Sequence, residues 1–376
     1  MILNCDWLQL YVDYKEWRPM VRYTYTDLDV SSNVFGRVTE VYRGRDKIAM
    51  MAYDPKSPII PPSCGLLKII NSALYRVDSA TIVADLLNDH HIHVLSVSRA
   101  DIAGDFQQIG PYLNPASLIR DVLLGNIIHV GKSKGQLSGM ATNQRKDGQP
   151  YAAIWRGHGL EQPRYEYLRY GKRSSNVATY MYDKTVEMED VKMKPYIVDK
   201  WQRNGLLPDR AHVWRLEFSL KPSQLSLVFH DNDQLLYRWQ SYLDPWCLSI
   251  IFYSIAHKYF RFVDPHTATR VARCKEIQLF GPNDGIGKVS EKEPAQDSDR
   301  SIRTFLNKMH KINDELRTEQ NSVRLMTQYL LAHYTADTAL QDWAKRKGIN
   351  LNEAPTIDDV KAAIDNDTIK DGEGNE

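Results

Sequence analysis

Over its first 225 residues the chain carries short runs rich in Tyr, Val, Ile and Trp, in which apolar and polar positions alternate. Gly, Pro, Asn and Asp separate the runs. A period of two with that punctuation predicts strands. They fall over Trp7–Val12, Val38–Tyr42, Ile48–Tyr53, Val94–Asp105, Ala152–Arg156, Tyr165–Gly171, Val177–Val186 and His212–Leu220. Two helical patterns interleave with them. One spans Ser79–Asp89; the other follows NPASLIRDVLLG, where Asn114 and Pro115 make a cap and first turn and Gly125 a stop. Strands and helices that do not alternate regularly predict an α+β fold with antiparallel sheets.

Beyond Pro222 the pattern becomes helical through Trp239–Tyr259, with a last strand or pair at Arg261–Val263 and Glu276–Phe280. Residues 283–299 hold Gly, Pro, Ser and many charges with almost no apolar side chain, so they read as a linker. The expected organisation is a domain over 1–282, that linker, and a helical C-terminal region over 300–376. In the last part Ser301–Lys347 and Thr356–Ile364 read as helix and the end as disordered. No apolar run approaches the roughly 20 residues that cross a bilayer. The start lacks the pattern of a secretory signal. Cys5, Cys64, Cys247 and Cys274 stand apart, without a CxxC or His/Cys cluster, as expected of free thiols in a reducing cytoplasm.

Net charge is only +1, but it is unevenly spread. Lys132–Lys221 holds 17 Lys/Arg against 10 Asp/Glu, whereas Leu351–Glu376 holds 8 acidic residues against 2 lysines. A basic middle suits a polyanionic partner, because neutralising phosphates releases counterions; an acidic tail suits solvation.

Three segments carry more charge and hydroxyl than a structural sheet needs. In HVLSVSRADIAGDF, residues 93–106, strand alternation lines up Val97, Arg99, Asp101, Ala103 and Asp105 on one face. In VWRLEFSL, residues 213–220, Arg215 and Glu217 stand opposite an apolar face of Trp214, Leu216, Phe218 and Leu220. In the hairpin RYEYLRYGKRSSNVATYMYDKTVEM, residues 164–188, Ala178, Tyr180, Tyr182 and Lys184 share a face. Each has a structural explanation in solvent-facing charges and β-forming tyrosines. Together they offer carboxylates for a hard divalent cation, cations for a phosphate and a tyrosine nucleophile.

These segments resemble the rolling-circle initiators of the Rep_trans type, a group of plasmid replication proteins, filamentous-phage replication proteins and some conjugative relaxases. The R-x-D-x-A-x-D strand is matched by Arg99, Asp101, Ala103 and Asp105. The hairpin leading to Y-D-K is matched by LRYGKRSSNVATYMYDKTVE, and the R-x-E strand by WRLEFSL. The order agrees, and the likeness covers roughly residues 1–225; Lys172 departs from it, standing where the family usually has Ser. The resemblance implies that Tyr182 is the nucleophile, with Tyr180 as fallback. It makes Asp101 and Glu217, with Asp105 behind them, ligands of Mg²⁺ or Mn²⁺. Arg99, Arg215 and Lys184 would hold the scissile phosphate or position the acids. The basic hairpin around Arg169, Lys172 and Arg173 would grip DNA beside the nick. The implied activity is a metal-dependent nick at an origin, with a host helicase and polymerase and a possible second copy as partners, and no membrane.

Two further readings stand beside it. The HIH at His91–His93 fits the metal-binding pattern of another class of tyrosine nickases, but the pattern is common by chance and His90 before it makes the stretch a plain His-rich turn. The same chemistry would serve a conjugative relaxase, and the same fold a DNA-binding regulator without catalysis. GPNDGIG, residues 281–287, lacks the spacing and the Lys-Ser/Thr of a phosphate loop.

Overall fold

The structure, a computed structural model, describes residues 1–132, 140–144, 150–152, 167–281 and 286–292, apart from 16, 31, 58, 59 and 173. The helical region over 300–376 and Arg173 lie outside the described residues, as do most of the strand expected at Ala152–Arg156 and both ends of the linker expected over 283–299. The middle of that linker is not a linker: Lys288–Glu291 is a strand that pairs with Leu225–Val228, because its one apolar side chain, Val289, is buried among otherwise polar residues.

The chain opens with strands β1 (Ile2–Asp13), β2 (Thr24–Leu28), β3 (Phe35–Arg43), β4 (Asp46–Pro55) and β5 (Cys64–Ile69). Helices α1 (Asn71–Leu74) and α2 (Ser79–Asp89) lead to β6 (His93–Phe106) and α3 (Pro115–Leu123). Short strands β7 (Ile128–His129), β8 (Met140–Gln144) and β9 (Pro150–Ala152) precede the hairpin β10 (Tyr167–Tyr170) and β11 (Val177–Asp183). Helices α4 (Lys184–Asp190) and α5 (Pro195–Arg203) then lead into β12 (Trp214–Leu220). After β13 (Leu225–Val228) come α6 (Pro245–Tyr259), β14 (Phe262–Asp264), β15 (Lys275–Glu276) and β16 (Lys288–Glu291).

Nine strands join in one sheet, in the order β10-β11-β12-β6-β1-β5-β4-β3-β2, and every neighbouring pair is antiparallel. The fold is α+β, as the strand pattern predicts. One sheet face is apolar: Leu8, Leu10, Leu67, Ile69, Ala100, Ile102, Leu216, Phe218 and Leu220 are buried there. Helix α6 packs on this face, its Phe252 ring edge-on to Phe218 at 5.3 Å. Gly104 in β6 permits that approach, since a Cβ would stand 2.8 Å from Phe252 and 2.6 Å from the Met1 sulfur.

Local signals explain most boundaries. Asn114 accepts from the Ala116 N–H with Pro115 at the first position of α3, and Gly125 follows at φ +76°. Three features depart from the pattern. The strand expected to run to Val186 stops at Asp183, whose carboxylate accepts from the Val186 N–H and starts α4. Lys184 is therefore a helical residue and does not share a strand face with Tyr182. Second, β6 bulges between Val97 and Arg99, so Val97 turns into the core beside Ala100 instead of standing with Arg99. Third, the helix expected over Trp239–Tyr259 is a single 3₁₀ turn at Trp239–Tyr242 followed by α6, capped by Asp244. All four cysteines are free, and among the described residues no helix is long and apolar enough to cross a membrane.

Candidate active site

Strand register assembles the site. On β12, Arg215 pairs with Asp105, Glu217 with Ala103 and Ser219 with Asp101 of β6. On β11, Tyr182 pairs with Arg215 and Tyr180 with Glu217. Directly paired residues point to the same side. Arg99, Asp101, Asp105, Arg215, Glu217, Tyr180 and Tyr182 thus share the face opposite the α6 core. Asp101 and Glu217 are diagonal neighbours on adjacent strands.

The Tyr182 hydroxyl donates to Glu217 Oε2 at 2.9 Å. Lys184, buried at the start of α4, lies with its Nζ 5.5 Å from the Tyr182 ring centroid and 2.6 Å from Glu187. Tyr180 is half-buried, its ring 5.4 Å from the Arg169 guanidinium. Arg99 forks Asp101, with Nε at 2.9 Å and Nη2 at 2.6 Å.

Arg215 has a different environment. It is 0% exposed and forks Asp105, also 0% exposed, at 2.7 and 2.9 Å. It donates to the Tyr75 hydroxyl at 2.8 Å and lies 3.0 Å from Asp6, an ion contact without hydrogen-bond geometry. Asp105 also accepts from Asn4 at 3.0 Å and from the Trp201 indole at 2.8 Å. Four donors thus occupy its two oxygens. Of the roles implied for Arg215, holding the acids is the one its contacts serve; Asp105 is its counter-ion.

Asp6 escapes the motif reading. β1 bulges between Cys5 and Trp7, which re-aims Asp6 towards Arg215 and Tyr75. No alternation rule places a bulged residue. Helix α5, whose PYIVDKWQR matches none of the three motifs, brings Trp201 to Asp105 and the Tyr196 ring to within 5.3 Å of that of Tyr75.

The acids are crowded. Burial, then Asp6 and Asp101, pushes the Glu217 carboxyl up to about 7, against the pull of Arg215 and the Tyr182 hydrogen bond. Burial pushes Asp101 up too, although Arg99 opposes it. Burial and Glu217 hold the Tyr182 hydroxyl well above its ordinary value, and burial lowers Lys184. Among the described residues no three His, Cys, Asp or Glu side chains converge to cage a metal. Mg²⁺ commonly needs only one or two carboxylates, completing its shell with water and phosphate. A pair of neighbouring acids raised chiefly by burial suits such a cation, whose charge would favour their ionised forms, and Asp101 and Glu217 are that pair.

The remaining candidates lie apart. His91 is exposed in the left-handed region at φ +52°, and His93 is exposed at the far end of β6, opposite Asp13. His90 is buried, its Nδ1 bonded to Leu86 O at 2.8 Å and its Nε2 to the Tyr25 hydroxyl at 2.6 Å. The HIH segment leads from a turn at His91 into the start of β6 and does not reach the acids. Lys172 is exposed beside Gly171, which turns the hairpin at φ +82°.

No protein-family model matches the chain, and no curated protein does. Among solved structures, the chain is similar to the rolling circle replication initiator protein from Geobacillus stearothermophilus. The identity is 12%, over 74% of this chain and 92% of that one, with a TM-score of 0.39.

Proposed function

We propose that this chain nicks one DNA strand through Tyr182, as the initiator of rolling-circle replication at a plasmid or phage origin. The observation that carries the reading is the 2.9 Å hydrogen bond from the Tyr182 hydroxyl to Glu217, on one sheet face with Asp101 and beside Lys184. The Tyr182 oxygen attacks the scissile phosphorus and its proton passes to Glu217. The bond from phosphorus to the 3′ oxygen breaks, and that oxygen takes a proton, Lys184 being the ammonium at hand. The 5′ phosphate stays on the tyrosine and a 3′ hydroxyl is left for a polymerase. Because the linkage keeps the phosphodiester energy, the strand can later be rejoined without ATP.

Asp101 and Glu217 would hold Mg²⁺ or Mn²⁺, which when bound offsets charge on the phosphoryl oxygens. Arg99 keeps Asp101 oriented, and Arg215 with Asp105 and Asp6 fixes the floor beneath Glu217 and Tyr182.

The test is incubation of supercoiled DNA carrying the candidate origin with the full chain and Mg²⁺. A nicked circle with covalently attached protein is expected. Tyr182→Phe should abolish the adduct while origin binding persists, since only a hydroxyl is lost. An adduct that survives there and vanishes in Tyr180→Phe moves the role to Tyr180; no adduct from the wild type refutes the reading.

A further inference from the structure

We propose that Trp7, Lys68 and Arg99 form a subsite for the sugar–phosphate backbone of single-stranded nucleic acid. It lies on the open half of the face that carries Tyr182. Gln9 of β1 pairs with Lys68 on one side and Arg99 on the other, and Trp7 pairs with Asp101, so these side chains emerge together. Lys68 Nζ lies 3.4 Å and Arg99 Cζ 4.6 Å from the Trp7 ring centroid. The indole gathers two cations.

Only one of them is neutralised. Arg99 is forked by Asp101, whereas Lys68 has no carboxylate partner among the described residues. The Trp7 indole N–H beneath them is buried and lacks a hydrogen-bond partner, so the polar contacts of the ring among the described residues are its two cations. Around them Tyr11, Met50 and Leu66 are only partly buried, although they stand on interior strands of a nine-stranded sheet. An uncompensated cation and a partly exposed aromatic and apolar floor match a strand with an anionic backbone and stackable bases. β5 and β11 are four strands apart, about 19 Å at a spacing of about 4.8 Å. Lys68 therefore grips the flanking strand and not the scissile phosphate. That the polymer is DNA rests on the nicking reading; the backbone affinity does not.

The test is fluorescence anisotropy of the full chain with a labelled oligo(dT) of roughly 20 nucleotides, and with a duplex of equal length, at low and moderate salt. Lys68→Gln should weaken oligo(dT) binding severalfold at about 50 mM salt. It should also flatten the log–log salt slope by about 0.7, the share of one phosphate on a single strand, so the deficit shrinks about 2.6-fold by about 200 mM. Lys68→Arg should keep both affinity and slope, and Lys288→Gln, exposed on β16, should match the wild type. An unchanged slope in Lys68→Gln, or a loss confined to the duplex, overturns the subsite. A chain that never nicks yet shows the Lys68-dependent slope loses the nicking reading and keeps this one.

Discussion

Replacing Arg215 by Met tests whether its guanidinium belongs to the fold or to the DNA. The side chain is fully buried, and Met roughly fills its volume while removing both donors to Asp105 and the donor to Tyr75. Asp105, equally buried, would keep only Asn4 and the Trp201 indole, and Asp6 would lose its cation. Stranding a buried charge in this way costs about 3–5 kcal/mol. With a urea slope of about 2–3 kcal/mol per molar, the unfolding midpoint should fall by roughly 1–2.5 M. Arg215→Lys should fall between, because an ammonium cannot fork a carboxylate. Adding Asp105→Asn to Arg215→Met should recover part of the loss, since the more deeply buried of the two stranded anions is then neutral and only Asp6 remains without its cation. The reasoning fails if Arg215→Met unfolds within about 0.5 M of the wild type while nicking disappears. The guanidinium would then act on phosphate and not on the acids.

Two further outcomes follow from packing and burial. Gly104→Ala puts a methyl 2.8 Å from Phe252 and 2.6 Å from the Met1 sulfur. Met1 can swing aside but the helical ring cannot, so a loss of about 1–3 kcal/mol is expected in thermal unfolding, relieved by Phe252→Leu. Burial lowers the pKa of His90, against the Leu86 carbonyl bond, and Arg22 and His91 lower it further. The unfolded chain therefore binds the proton more readily. Stability should be full above about pH 6.5 and decline as pH falls towards the depressed value. His90→Gln should flatten that decline, measured as the unfolding midpoint against pH, though burial also lowers His129 and His257 and part of it will remain. A profile identical to the wild type would place the acid sensitivity elsewhere.

Much of the candidate site's face was legible in the chain because a strand converts spacing into direction. Arg99 and Asp101, Arg215 and Glu217, and Tyr180 and Tyr182 are each two residues apart, and two residues restore the same side of a pleated sheet. The same rule misplaced Val97 and could not place Asp6, since each adjoins a bulge, where one extra residue breaks the period. It also carried the strand through Lys184, where the Asp183 cap begins a helix instead. The strands at Thr24–Leu28 and Cys64–Ile69 gave little pattern: the first is a polar edge, and the second reads CGLLKI with no clean alternation.

What the sequence determined alone was local: α+β character, the capped helices, and which neighbours on one strand look the same way. Which strands lie side by side was a tertiary decision, because pairing depends on contacts between segments far apart in the chain. Asp105 and Arg215 are 110 residues apart, and nothing in either motif says that they neutralise one another. That contact turns two candidate site residues into a buried support. The register of β12 between β6 and β11 sets Glu217 against Tyr182, and brings the separate motifs onto one surface.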